Sequence, residues 1–343
     1  MNANSEDCYL IAEIGLNHNG NFDLAEKSVR AAAKAGASAV KFQNFKTEDF
    51  LTDRTIMHVC RDGDREVTEP LFDICKRSEF QSSWFKPLIK LCDELGVNFM
   101  STPTSIEGID ELLLYGVQTL KNGSDYLCHL EVLTHMARSN ANVIISIGMA
   151  YEKEIDEAVN AIRAIRPNLD NVCILHCTSN YPAQPDNVNL NKIRALQDRY
   201  KVPIGFSDHT VGWEAAVQAV TMGATVIEKH FTLDKKLNGP DHWFSSDPSE
   251  FAEMVEKVRL AEVRLGSSKL QPAAGEQSVL QDWKLGLVWN CDKSAGETVT
   301  RNDIAIRKPA AGVSPKDLDK VIGAKTFKFC AKGAPVFFDE LDN

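Results

Sequence analysis

The sequence predicts an α/β protein, a (β/α)8 TIM barrel followed by a small β-rich domain, on three observations. Eight short apolar runs alternate with eight amphipathic stretches before residue 267. Each apolar run closes on polar or charged residues, as in a barrel whose site lies at the C-terminal rim of its strands. After residue 266 the texture changes to short β-like segments punctuated by Gly and Pro turns.

The apolar runs fall at 8–15, 38–43, 97–102, 117–121, 142–148, 172–178, 202–208 and 225–231. Short runs bounded by turn signals read as buried parallel strands. The stretches between them carry helical spacing. At 23–36, Leu24, Ala25, Ser28, Val29, Ala32 and Gly36 form one stripe. The others lie near 83–96, 105–114, 129–140, 152–166, 188–200, 212–222 and 248–266. Eight such units close naturally into a barrel. A doubly wound open sheet is the competing arrangement, but it wants a glycine-rich phosphate turn after its first strand. GLNHNGN is not GxGxxG.

The segment 44–82 is too long for an ordinary βα loop and reads as a lid or interface loop over the barrel mouth. GSSKLQPAAGEQS at 266–278 has the composition of a linker. The domains are therefore placed at 1–268 (barrel), 269–283 (linker) and 284–343 (small domain). Within the last, Gly296, Val299, Asp303 and Ile304 match Gly333, Val336, Glu340 and Leu341 at equal offsets, a weak internal repeat.

The formal charge of −10 comes with no Lys/Arg block, which argues against a nucleic-acid partner. The nine cysteines contain no CxxC pair, and Cys173 and Cys177 have poor zinc spacing. They read as reduced thiols of a cytoplasmic protein. The opening MNANSEDCYLIAEIG has neither the basic nor the apolar region of a signal peptide. No apolar run approaches the ~20 residues of a membrane span.

The strand ends carry the chemistry. His209 (FSDHT) and His230 (EKHF) close adjacent strands, about 4.8 Å apart in a sheet. Two imidazoles at one height can share a divalent ion and leave positions open for water or substrate. Asp208 and Glu228 stand beside them. Lys41 and Lys121 end the second and fourth strands, where an ammonium suits a phosphate or carboxylate. A Schiff-base role and a salt bridge are the alternatives. Thr102, Ser124 and Ser207 add neutral donors. Glu13 ends the first strand and is placed for acid–base work. Asp241 sits on the GPDHWFS turn and either orients a water or satisfies backbone N–H groups. His18 in NHNGN reads as structural, and His176 as a possible substrate contact.

These motifs, AEIGLNHNG, AVKFQNFK, LHCTSNYPA, GFSDHTVG, VIEKHFTLDKKLNGPDHWFS and GETVTRNDIAIRKPAAGVSP, together resemble the sialic acid (N-acetylneuraminate) synthase family. The resemblance runs through nearly the whole chain in order. It implies a barrel with an antifreeze-like (SAF) C-terminal domain, a domain-swapped homodimer and a requirement for Mn2+ or Mg2+. It implies condensation of phosphoenolpyruvate with an N-acyl-mannosamine-type sugar to a nine-carbon 2-keto acid and phosphate. Carried over by motif, Glu13, Asp241 and Lys121 would be catalytic, and His209 and His230 would hold the metal. Lys41, Thr102, Ser124, Asp125, Tyr126, Thr178, Tyr181, Ser207 and Lys308 would bind substrates.

The chain departs from the family at acceptor contacts. In KNGSDY, Tyr126 occupies the position of the family's sugar-binding acid, Asp125 comes one residue earlier, and Asn122 replaces an apolar residue. In RKPAAG, Lys308 stands where the family has an arginine, and Lys does not reproduce its bidentate contact. Condensation chemistry with a non-standard acceptor is the resulting expectation. A shorter sugar, aldolase chemistry and an impaired sugar-binding homologue are the other readings.

Overall fold

The computed structural model describes residues 7–342. Residues 1–6, part of the stretch read against a signal peptide, and residue 343 lie outside the described residues. The chain divides into two units at Gly266/Ser267.

The first unit is a closed barrel of eight parallel strands: β1 (Tyr9–Gly15), β2 (Ala39–Asn44), β5 (Asn98–Pro103), β6 (Thr119–Asn122), β7 (Asn142–Ser146), β8 (Val172–Cys177), β9 (Ile204–Asp208) and β10 (Val226–His230). They follow one another around the barrel, and β10 pairs with β1 to close it. The open-sheet alternative is thereby excluded. The outer helices begin where local chemistry starts them. The Asn21 side chain accepts from the N–H groups of Asp23 and Leu24 and caps Phe22–Lys34. Asp247 and Glu250 form the capping box of Pro248–Leu265, with Pro248 at its first position.

Alternation along each strand separates two interiors. One set of positions packs against the helices, as with Leu10, Val40, Phe42 and Phe206. The other fills the barrel itself: Ile11, Ala39, Met100, Ile144, Cys173, Leu175 and Val226 form an apolar plug. The next inward positions toward the strand ends are polar, so the site rests directly on that plug. Gly205 is required in this layer. A Cβ there would come within 2.5 Å of Leu175 Cδ2 and the Val226 carbonyl.

The insertion 45–84 is ordered rather than a bare loop. It contains an antiparallel hairpin, β3 (Met57–Asp62) with β4 (Arg65–Pro70), and a helix at Leu71–Arg77. Arg61 and Gly239 exchange backbone hydrogen bonds at 3.3 and 3.1 Å, which tie the hairpin to the loop after β10.

Two mouth loops enclose buried histidines. His18 lies among Phe42, Phe80 and Trp84, as its structural reading expects. The His242 ring shares a 2.7 Å hydrogen bond with Thr232 Oγ1. Burial pushes both imidazoles down to about 4. In the unfolded chain they titrate near the ordinary value of 6.5. The folded state therefore prefers the neutral rings, and stability is complete above pH 6.5 and declines as pH falls toward 4. Each ring accounts for about 3 kcal/mol across that window, at ~1.4 kcal/mol per pKa unit. The denaturant midpoint is expected to fall between pH 7 and pH 5, and to fall measurably less in His242→Gln. Equal falls in both proteins would refute the assignment.

The second unit has its own core of Leu287, Trp289, Val299, Ile304, Val313, Val321, Val336 and Leu341. Two short antiparallel pairs frame it: β11 (Gly286–Trp289) with β12 (Ile304–Arg307), and β13 (Lys325–Thr326) with β14 (Leu341–Asp342). The internal repeat is structural. Gly296 and Gly333 share a φ of 84°, and Asp303 and Glu340 each accept from the N–H three residues earlier. Residues 267–285 carry two short helical turns, Ala274–Glu276 and Leu280–Trp283.

Candidate active site

The barrel mouth holds a cavity of about 830 Å3. Glu13, Lys41, Thr102, Lys121, Ser124, Asp125, Tyr126, Tyr181, Ser207, His209, His230 and Asp241 all line it. Thr178 differs. Its hydroxyl donates to the Asn187 carbonyl at 3.0 Å, and it is not among the lining residues. Lys308 belongs to the second unit, where its Nζ lies 4.4 Å from the centre of the Trp283 ring.

The floor is a buried network of two ammonium groups and two carboxylates. Lys41 Nζ lies 2.6 Å from Glu13 Oε2 and donates to Thr102 Oγ1 at 2.9 Å. Lys121 Nζ donates to Glu228 Oε1 at 2.7 Å, and Ser207 Oγ donates to the same oxygen at 3.0 Å. Lys41 also stands 3.8 Å from Glu228 Oε2. Gln43 Nε2 donates to Glu13 Oε1 at 2.7 Å.

Charge sorts the two carboxylates. Burial raises the Glu13 carboxyl above its ordinary range, against the pull of Lys41. Burial would raise Glu228 as well, but Lys121 and Lys41 outweigh it and hold that carboxyl low. At the rim, burial and then the Glu13 charge push Asp241 up to about 7. Burial thus makes Glu13 a stronger base beside Lys41, sets Asp241 nearer the acid form, and leaves Glu228 ionised.

The two imidazoles meet as their strand positions required. Their ring centres are 5.3 Å apart. His209 Nδ1 is 2.8 Å from the Thr178 carbonyl, so the ring is fixed from that side and Nε2 is left 3.5 Å from Ser207 Oγ. Buried His230 Nδ1 has no hydrogen-bond partner and lies 3.6 Å from Asp241 Oδ2. Burial and the neighbouring His209 charge hold His230 well below its ordinary value, so it offers a neutral ring. Two imidazoles beside a carboxylate suit a divalent ion. Among the described residues no group of three or more His, Cys, Asp or Glu side chains could hold one. The chain would supply two ligands and leave the rest to water or substrate.

Ser124 Oγ accepts from the Gly148 N–H at 3.0 Å and lines the cavity. Gly148 has no room for a side chain, since a Cβ would sit 2.8 Å from Ser124 Oγ and 2.2 Å from Ser179 Oγ. The outer wall is more apolar. The Tyr181 ring packs 4.1 Å from that of His209, and Met57, Val59, Met149, Trp243 and Phe244 complete the lining with Tyr126. Arg61 lies over Trp243 at 4.2 Å. Tyr126 stacks almost parallel on His129.

Sequence reasoning missed several of these. Gln43 was visible only as a strand-end residue, and Glu228, read as supporting the histidine pair, instead accepts from Lys121 and Ser207. The hairpin residues Met57, Val59 and Arg61 carried no motif signal. His176, read as a possible substrate contact, is buried outside the lining, with its Nε2 2.6 Å from the Val188 carbonyl.

Comparison with known proteins agrees with this geometry. Residues 28–270 match the NeuB family. The chain is 35% identical over 98% of its length, and 96% of the relative's, to an N,N'-diacetyllegionaminic acid synthase of Legionella pneumophila. It is 33% identical to the Campylobacter jejuni enzyme of the same name over 92% of this chain and 94% of that one. A crystal structure of N-acetylneuraminic acid synthetase from Leptospira borgpetersenii superposes with a TM-score of 0.72 at 33% identity, covering 80% of this chain and 90% of that one. The chain belongs to the NeuB family of sialic acid synthases.

Proposed function

We propose that this protein condenses phosphoenolpyruvate with an N-acyl-mannosamine-type amino sugar. The products are phosphate and a nine-carbon 2-keto acid of the sialic, legionaminic or pseudaminic type, for surface-glycan precursors. The observation that carries the reading is the buried floor of Lys41, Lys121, Glu13 and Glu228 beside the His209–His230 pair.

Lys41, Lys121, Thr102, Ser124 and Ser207 bind the phosphate and carboxylate of phosphoenolpyruvate. The floor is already charge-balanced, so a multiply anionic substrate calls for added positive charge. His209 and His230 would hold a divalent ion, Mn2+ or Mg2+, which would supply that charge and Lewis acidity toward the acceptor aldehyde. C3 of phosphoenolpyruvate attacks the aldehyde carbon, and the new C–C bond takes the enol pair. Asp241, 3.6 Å from His230 with a carboxyl that burial raises, is the group placed to pass a proton to the aldehyde oxygen. Water adds at C2 as Glu13 takes its proton; C–O cleavage then releases phosphate, which carries off the C2 hydroxyl proton and leaves the 2-keto group.

Purified protein with phosphoenolpyruvate, Mn2+ and a panel of hexosamines is expected to release phosphate only when an acceptor is present. No acceptor-dependent release with any sugar would defeat the reading.

The acceptor end is where this chain sets its own preference. Tyr126 brings a half-buried phenol, bonded to Thr104, to a wall shared with Met57 and Tyr181. Such a wall suits an acceptor carrying methyl-bearing acyl groups. Tyr126→Glu is expected to raise kcat/KM for N-acetylmannosamine by about tenfold relative to more acylated acceptors, a ~1.4 kcal/mol change. An unchanged preference by product mass would remove Tyr126 from specificity.

The same reading includes an antifreeze-like second unit, a homodimer and a cytoplasmic setting. Exposed Phe327 and Phe329 support self-association, which light scattering would measure. The nine unpaired cysteines support a reducing compartment.

A further inference from the structure

β9 and β10 pair in parallel with Ser207 opposite Glu228 and Asp208 opposite Lys229. Alternation turns Ser207, His209, Glu228 and His230 into the cavity. It turns Asp208 and Lys229 to the other side of the wall, outside the cavity lining. There they form an ion pair at 2.8 Å, with side chains 0% and 2% exposed. The second carboxylate oxygen accepts from Thr210 N at 2.8 Å and Thr210 Oγ1 at 2.7 Å. Lys229 Nζ also donates to the Thr210 carbonyl at 2.6 Å. One ion pair therefore takes up the N–H, the carbonyl and the hydroxyl of Thr210.

Its place in the chain matters more than its charge. His209 lies between Asp208 and Thr210, both ends of the pair's grip. Lys229 directly precedes His230. The His209 carbonyl accepts from Ala183 N at 2.9 Å, which anchors the same turn from another side.

Stability alone is a poor account of such a pair. Removing an ammonium and a carboxylate from water costs several kcal/mol each, and their attraction roughly offsets this. A hydrophobic pair of similar volume serves stability as well or better. What it cannot do is fix Thr210 and the start of His230 in one register.

We propose that Asp208 and Lys229 are positioning residues that hold the His209 and His230 imidazoles at metal-sharing distance from behind the barrel wall. This rests on the reading that the two imidazoles bind a divalent ion. Outer partners that orient metal-binding histidines typically change affinity by about 10–100-fold.

The test is a Mn2+ titration of the full-length protein by electron paramagnetic resonance. The double variant Asp208→Leu/Lys229→Met removes both charges and leaves neither unpaired. It is expected to unfold at a lower temperature than wild type, since Thr210 loses its partners, to remain folded at the assay temperature, and to bind Mn2+ at least about tenfold more weakly. Its KM for phosphoenolpyruvate at saturating Mn2+ should change less than about threefold, since neither residue touches substrate. A folded double variant with wild-type Mn2+ affinity overturns the proposal. Lys229→Arg decides the matter if the double variant does not fold. It keeps the charge but replaces the compact ammonium with a planar fork, and weaker Mn2+ binding is expected. Wild-type affinity in that variant equally overturns it. A wild-type protein that binds no Mn2+ defeats the metal reading itself, and this inference with it.

Discussion

Replacing Glu228 with glutamine is expected to destabilise the barrel by about 3 kcal/mol, although the side chain keeps its shape. Glu228 is the counter-charge for Lys121 at 2.7 Å and the second carboxylate near Lys41. Glutamine would still accept a hydrogen bond from Lys121, but Lys121 would become a buried cation with no carboxylate against it. Denaturant unfolding of Glu228→Gln beside wild type measures the loss. The physical cause makes a further demand. Added phosphate should recover more stability in the variant than in wild type, because an anion in the cavity replaces the missing charge. A variant as stable as wild type, or one indifferent to phosphate, would show that Lys121 does not depend on Glu228.

Removing the imidazole of His209 is expected to abolish metal-dependent turnover while leaving the barrel folded. The ring is anchored at Nδ1 by the Thr178 carbonyl at 2.8 Å, with Cys177 Sγ at 3.8 Å and Ser207 Oγ 3.5 Å from Nε2, and it lines the cavity. His209→Ala thus deletes the proposed ligand without opening the apolar plug beneath. A loss of at least about 10³-fold in kcat/KM follows if the ion contributes even ~4 kcal/mol to the transition state. Circular dichroism should match wild type, and Mn2+ titration should show weakened binding. Turnover close to wild type would refute the ligand role.

Much of this was legible because a barrel couples sequence position to space. Polar residues at eight strand ends must crowd one rim. That reasoning placed Lys41, Lys121, His209 and His230 together before any coordinate. It could not assign parity, because a list of strand ends does not say which residue points inward. Ser101 and Asp208 both stand at polar strand ends, and that position alone does not give the direction of either side chain. In the fold Ser101 Oγ is spent on the Phe42 carbonyl and Asn44, and Asp208 on Lys229 and Thr210. Pairing was hidden too. Lys121 and Glu228 are separated by 107 residues, and only closure of the barrel brings them to 2.7 Å. The hairpin Met57–Pro70 was illegible as structure because its strands are mostly exposed and lack a buried stripe.

That hairpin also bears on how the protein could diversify. It contributes no strand to the barrel, yet it brings Met57, Val59 and Arg61 to the cavity and joins the 239–245 loop through two backbone bonds. Backbone bonds do not depend on side-chain identity. Hairpins of altered sequence could therefore be grafted at this point and still dock. The outer wall of the cavity would change while the charged floor stayed constant. New acceptors can be recruited in this way without renegotiating the chemistry below them.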